Sequence, residues 1–120
     1  MTSQGSPYGR FRRALDNRNA LAALSAAAEL PNVGLTDALE LVLLLLDKSP
    51  ERFPRAALRW HGRFCRETRD VELEEAQAVL AALAALRGRR QRQAASALAE
   101  LISRRGLERA AEILVSWSMH

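Results

Sequence analysis

The chain has 120 residues, 48% of them apolar and 5% aromatic, with a formal net charge of +4. The apolar share is mostly Ala and Leu, the strongest helix formers, and the β-branched and aromatic residues that favour strands are scarce, so the expected fold class is all-α in one domain. A single cysteine, Cys65, excludes an internal disulfide, and no apolar run nears the roughly 18 residues that span a bilayer.

Residues 1–8 are small and polar with no hydrophobic period. They are expected to form a loose N-terminal arm, leaving 9–120 as a single helical-repeat domain. A short helix is predicted over 10–16, with Phe11 and Leu15 on one side. Asn17 can cap a second helix that runs to about Leu30 and stops before Pro31. Arg10, Arg12 and Arg13 ahead of the alanine-rich stretch 20–28 have the outline of a secretion signal. Asp16, Asn17 and Asn19 interrupt it, and the leucine-rich body of a signal is missing, so a cytoplasmic location is expected.

After a turn at 31–34, a third helix is predicted from Leu35, with Asp37 in its first turn, where a carboxylate offsets the helix dipole. At about 100° per residue its leucines cover most of the circumference. Thr36, Asp37, Glu40, Asp47 and Lys48 leave one polar strip, and Leu44 falls within it. So apolar a helix should be the central and most buried one. Ser49-Pro50 reads as the cap and first turn of a fourth helix, with Pro54 at a kink or at the true start. Phe53, Ala57, Trp60 and Phe64 line one of its faces, and it should end near 68–70. Three more helices are expected: a fifth over 73–86 followed by Gly88, a sixth from about Gln91 to Arg105 closed by Gly106, and a seventh from Leu107 to about Ser118.

Sliding the chain by 38 residues aligns Leu41 with Val79, Leu45 with Leu83, Ala57 with Ala95, Trp60 with Leu98 and Phe64 with Ile102. A weaker third copy needs an offset of 34. Ala/Leu helices also align by chance, yet one register held across two helices and a turn suggests about seven helices in stacked pairs, a HEAT-like α-solenoid. A compact helical bundle is the alternative. The fifth helix carries large residues on one side and Ala78, Ala81, Ala82 and Ala85 on the other, so it is expected to lie sandwiched between neighbours.

Reactive groups are few. His61 and Cys65 lie at i, i+4 but lack the second pair a tetrahedral metal site needs, and no oxyanion donors or orienting partner mark a Cys–His nucleophile. The glycines are isolated and no phosphate loop occurs. No enzyme activity, metal or cofactor is therefore expected.

All basic residues but Lys48 are arginine. Codon usage in a GC-rich genome and a need for guanidinium forks both account for this. Arg52, Arg55, Arg59, Arg63 and Arg66 recur at spacings of 3, 4, 4 and 3 along the fourth helix. They fall within roughly 80° of arc, beside the Phe53/Trp60/Phe64 face. Either carboxylates of a neighbouring helix neutralise them or they form the partner-binding face of a scaffold. Arg87, Arg89, Arg90 and Arg92 make a second cluster, and Arg10, Arg12 and Arg13 a third. The leading expectation is a non-catalytic helical adaptor for a protein partner, with an acidic partner as one option. The alternative is a nucleic-acid-binding module using the same arginines for phosphate contacts, against which stand the modest charge and the absence of a reader motif. Self-association stays open, and no membrane partner is expected.

The segments 35–41 (Leu-Thr-Asp-Ala-Leu-Glu-Leu), 55–64 (Arg-Ala-Ala-Leu-Arg-Trp-His-Gly-Arg-Phe) and 73–77 (Leu-Glu-Glu-Ala-Gln) resemble a group of small all-helical actinobacterial proteins over about residues 10–118. The resemblance implies a high-GC bacterial origin. It carries over no activity and no functional residues.

Overall fold

The computed structural model describes residues 6–120, and among them every regular element is helical. The helices are α1 (Pro7–Asp16), α2 (Ala20–Ala28), α3 (Leu35–Lys48), α4 (Phe53–Glu67), α5 (Leu73–Ala85), α6 (Gln91–Ser103) and α7 (Glu108–Ser118). A 3₁₀ turn, Pro50–Arg52, precedes α4. None is long and apolar enough to cross a membrane.

Local signals account for most boundaries, with three corrections. The Ser6 hydroxyl accepts from the Gly9 N–H at 2.9 Å and Pro7 fits the first turn, so α1 starts before the expected 10 and takes Pro7 and Tyr8 out of the expected arm. Positions 1–5 of that arm lie outside the described residues. Asn17 closes α1 instead of opening α2, whose cap is Asn19, with its Oδ1 accepting from the Ala22 N–H at 3.1 Å. Ser49 makes no side-chain cap. Pro50 starts the 3₁₀ turn, and Pro54 takes the first turn of α4, the one helical place its ring tolerates.

Two helices end in the same six-residue closure. After α6, the Leu107 N–H bonds the Ile102 carbonyl (3.1 Å) and the Gly106 N–H bonds Ser103 (3.1 Å), with Gly106 left-handed at φ 85°. After α1, the Asn19 and Arg18 N–H groups bond Ala14 and Leu15 (2.9 and 3.0 Å), and the left-handed residue is Arg18, at φ 56°.

Of the two expected layouts the chain takes the compact bundle. A solenoid would lay α3 beside α5 and α4 beside α6, and in neither pair do the two backbones come alongside each other. Instead α3, α4, α5, α6 and α7 form a ring, each packed on the next, and α7 returns to α3. Leu39, Val42 and Leu43 of α3 join Trp60, Phe64, Leu83, Leu98, Ile102 and Leu114 in the ring's core. On the other side of α3, Leu41, Leu44 and Leu45 pack with Phe11, Leu15, Ala20 and Ala23 of the α1–α2 hairpin. The 38-residue correspondence holds in the second helices, where Ala57, Trp60 and Phe64 share one core with Ala95, Leu98 and Ile102. It fails in the first helices: Leu45 and Leu83 are buried in different cores.

This two-sided burial sets a test. Leu44 sits in the polar strip of the helical wheel yet is buried against the hairpin. Leu44→Ala should therefore destabilise by about 2–4 kcal/mol in denaturant unfolding, as much as Leu43→Ala in the ring core. A loss under about 0.5 kcal/mol, the surface expectation, would show that the hairpin does not seal that side of α3.

Candidate functional site

The rotation of α4 is fixed by its buried face. Phe53, Ala57, Trp60 and Phe64 all point into the ring. The Trp60 indole stacks on Phe64 (centroids 5.5 Å apart, 17° between planes) and its N–H donates to the Leu35 carbonyl at 2.9 Å, so its one polar atom is satisfied on burial. With that face inward, the arginine stripe is turned sideways toward α2. Both α2 and α4 pack on α3 but not on each other. Between them runs a groove of about 390 Å³ lined by Leu24 of α2, Leu45 of α3, Glu51 and Arg52 of the 3₁₀ turn, and Arg55, Ala56 and Arg59 of α4.

The five sequence-predicted arginines divide. Arg63 is the most covered and bonds Glu67 one turn on, Nε to Oε2 at 2.7 Å and an amino nitrogen to Oε1 at 3.3 Å. That bond holds the Glu67 carboxyl below its ordinary range. Arg52 lies 3.9 Å from its neighbour Glu51. Arg66 is exposed at the far end of α4, away from the groove. Arg55 and Arg59 are exposed on the groove wall and have no hydrogen bond or ion pair among the described residues. Neutralisation by a neighbouring helix, one of the two readings of the stripe, is not found among the described residues: the carboxylates that reach it there are Glu51 and Glu67, both sequence-local.

Sequence reasoning missed the apolar half of this site. Leu24 and Leu45 lie 31 and 10 residues from Arg55, too far apart for any local pattern to join them. The available signal was the composition of α2, Ala-Leu-Ala-Ala-Leu-Ser-Ala-Ala-Ala, which has no charged residue although Leu21, Ala22, Ser25 and Ala28 are exposed.

The N-terminal arginines serve the fold. Arg12 bonds Asp37 (3.2 Å), Glu40 (2.9 Å) and Asp16 (3.1 Å), clamping α1 onto the start of α3, and the Glu40 bond raises its pKa. Arg10 reaches Glu29 at 2.7 Å. Tyr8 donates to Asp37 at 3.0 Å; burial first, then this bond, pushes its phenol pKa up. In the second cluster, Arg87 lies over the Phe53 ring at 6.0 Å, while Arg89, Arg90 and Arg92 are exposed.

His61 and Cys65 are close, Sγ to Nε2 3.8 Å, but Nε2 is 2.8 Å from the Ala76 carbonyl. A carbonyl only accepts, so Nε2 carries the hydrogen and donates it to α5. The nitrogen facing the thiol is therefore not a base for it, and the ring acts as a strut between α4 and α5.

A second cleft of about 740 Å³ opens where α1, α3 and α7 meet. Asp47 organises it, accepting from Arg18 (2.9 Å) and from the Trp117 indole (3.0 Å), contacts spanning 29 and 70 residues. Arg105 plays a similar part after α6, gripping both Glu75 oxygens and the carbonyls of Arg69 (3.0 Å) and Asp70 (3.2 Å).

No protein-family model, no curated protein and no solved structure matches this chain.

Two expectations follow from these contacts. Arg105 and Arg63 hold the Glu75 and Glu67 carboxyls below their ordinary values. A group with a depressed folded pKa contributes stability that is complete above its unfolded value, near 4.3, and is lost as pH falls through the folded value. The unfolding midpoint should therefore drop as pH falls below about 4, and Glu75→Gln should shrink that drop; an unchanged acid profile in the variant would disprove the assignment. At Arg18, alanine and glycine replacements both lose the Asp47 bond, but only alanine keeps a side chain in the left-handed region. Arg18→Ala should be less stable than Arg18→Gly by about 1 kcal/mol in thermal unfolding, and equal stabilities would rule out that strain.

Proposed function

We propose that this protein is a non-catalytic adaptor that binds an acidic amphipathic helix of a protein partner in the groove between α2 and α4. The observation that carries the reading is the pair Arg55 and Arg59: exposed, without a partner among the described residues, and set on the wall of a groove that Leu24, Leu45 and Ala56 line together with Glu51 and Arg52. Leu24, Leu45 and Ala56 suit the apolar stripe of such a helix, and Leu21, one turn before Leu24 on α2, is exposed. Carboxylates on the ligand's flank meet Arg55 and Arg59, and Arg52 once it turns from Glu51. Guanidinium forks suit this task because they bond carboxylates in pairs. The α2 wall spans only 9 residues, so a ligand of two to three turns fills the groove.

The same arginines suit a phosphate backbone less well. Single-stranded nucleic acid is held by aromatic side chains on which bases stack. Phe53, Trp60 and Phe64 are buried, and the aromatic that is well exposed, Tyr8, is bonded to Asp37.

The test uses three labelled ligands in fluorescence anisotropy: an acidic amphipathic peptide, a scrambled peptide of the same composition, and a single-stranded oligonucleotide. The amphipathic peptide should bind most tightly and more weakly as salt rises. Arg55→Glu and Arg59→Glu should each lower its affinity by about tenfold, with Arg92→Glu as the neutral control and helicity unchanged. Equal binding of the scrambled peptide would reduce the site to unspecific charge attraction. Tighter binding of the oligonucleotide would replace the reading with nucleic-acid recognition.

A further inference from the structure

The expected sandwich around α5 is half missing. Val79, Ala82, Leu83 and Leu86 face the ring core, and among the described helices α5 packs on α4 and α6 alone. Its other side is open: Leu73 is 70% and Leu80 36% exposed, with Gln77, Ala78, Ala81, Ala84 and Ala85 exposed among them. The His61–Ala76 bond sets α4 alongside α5. One turn before His61 is Leu58, 59% exposed, and one turn after Ala76 is Leu80, so the open face continues onto α4. From 76 to 86 there is no charged residue. An apolar surface of this kind on a chain with so many charges marks an interaction face.

We propose that this face is the two-fold interface of a homodimer, in which α5 of one copy packs antiparallel on α5 of the other. Charge placement selects a second copy as the occupant. Carboxylates stand at the start of the helix, Glu72 and Glu74, and guanidinium groups just past its end, Arg87, Arg89 and Arg90, all exposed. A two-fold contact uses the same patch on both subunits. An antiparallel pairing therefore brings the acidic end of each copy to the basic end of the other, whereas a parallel one would set like charges together.

The register follows from the sequence. Pairing Glu74 with the other copy's Arg87 sets Gln77 opposite Ala84 and Leu80 opposite Ala81, all six positions exposed on α5 or just beyond its end. Alanines at 81 and 84 let the axes approach closely, and the helix dipoles then run in opposite directions. The helix has 13 residues, about 20 Å. A contact of that length, widened by Leu58, lies at the low end of interface sizes, where weak and reversible association is found.

Sedimentation equilibrium on the full chain tests this. Wild type should rise from one toward two chain masses across the micromolar range. Ala81→Glu places carboxylates against each other near the axis and should weaken association by at least about tenfold, with unchanged circular dichroism. Glu74→Arg and Arg87→Glu should each weaken it a few-fold, and the double reversal Glu74→Arg/Arg87→Glu should restore it. Restoration cannot come from general loss of folding, so the test stands even if one variant is unstable. Wild type remaining at one chain mass throughout, Ala81→Glu associating normally, or a double reversal no better than the singles would each overturn the proposal. Peptide binding in the α2/α4 groove should not change in any of these variants, which separates the two surfaces.

Discussion

Everything in this fold hangs on α3 being apolar around most of its circumference. A helix with leucine on two sides is stable in water only if both sides are covered, and one chain of this length can do that only by building a core on each. The ring takes Leu39, Val42 and Leu43, and the α1–α2 hairpin takes Leu41, Leu44 and Leu45. The three carboxylates of α3 become fasteners. Asp37 and Glu40 hold Arg12 of α1, and Asp47 holds Arg18 and Trp117. Exposed ion pairs of this sort add little stability each. Their value is orientation, because α1, the α1–α2 turn and α7 are all referenced to one helix.

The groove is a by-product of the same arrangement. Since α2 and α4 are both laid against α3, their separation is set by the leucines beneath them and not by contacts with each other. Leu45 forms the floor, and the walls differ in character: α2 brings no charge and α4 brings guanidinium groups. The opposite flank of α4, with Leu58, His61 and Cys65, turns toward α5. One helix therefore divides a cationic surface from an apolar one, and the Trp60/Phe64 stack that locks its rotation keeps them apart.

What could be read from the sequence was whatever depends on neighbours along the chain. Helix number, the glycine closure at Gly106 and the burial of α3 all follow from spacing within one or two turns. Caps were harder, because Asn17, Asn19 and Ser49 offer equivalent side chains and the choice depends on where the backbone turns. The 38-residue match suggested stacking because shared periodicity fixes which face is buried, but not what covers it. Trp60 and Leu98 meet in one core across the ring, an arrangement that needs the same apolar pattern as a stack. Leu44 shows the same limit from the other side: a wheel places it among polar neighbours, and only the hairpin, contributed by a distant segment, makes that position interior.

The arginine inventory carries the argument from fold to surface. The carboxylates that reach across the chain meet Arg10, Arg12, Arg18 and Arg105, where each pair fastens one segment to another. Arg63 takes Glu67 on its own helix. Arg55 and Arg59, one turn apart on the same face, repel each other, a cost of a few tenths of a kcal/mol in a helix. No carboxylate of the described residues pairs with either of them. Both are exposed, so neither contributes to the core. Like charges held side by side on the wall of the groove, with no carboxylate of the described residues between them, are the feature on which the proposed acidic ligand rests.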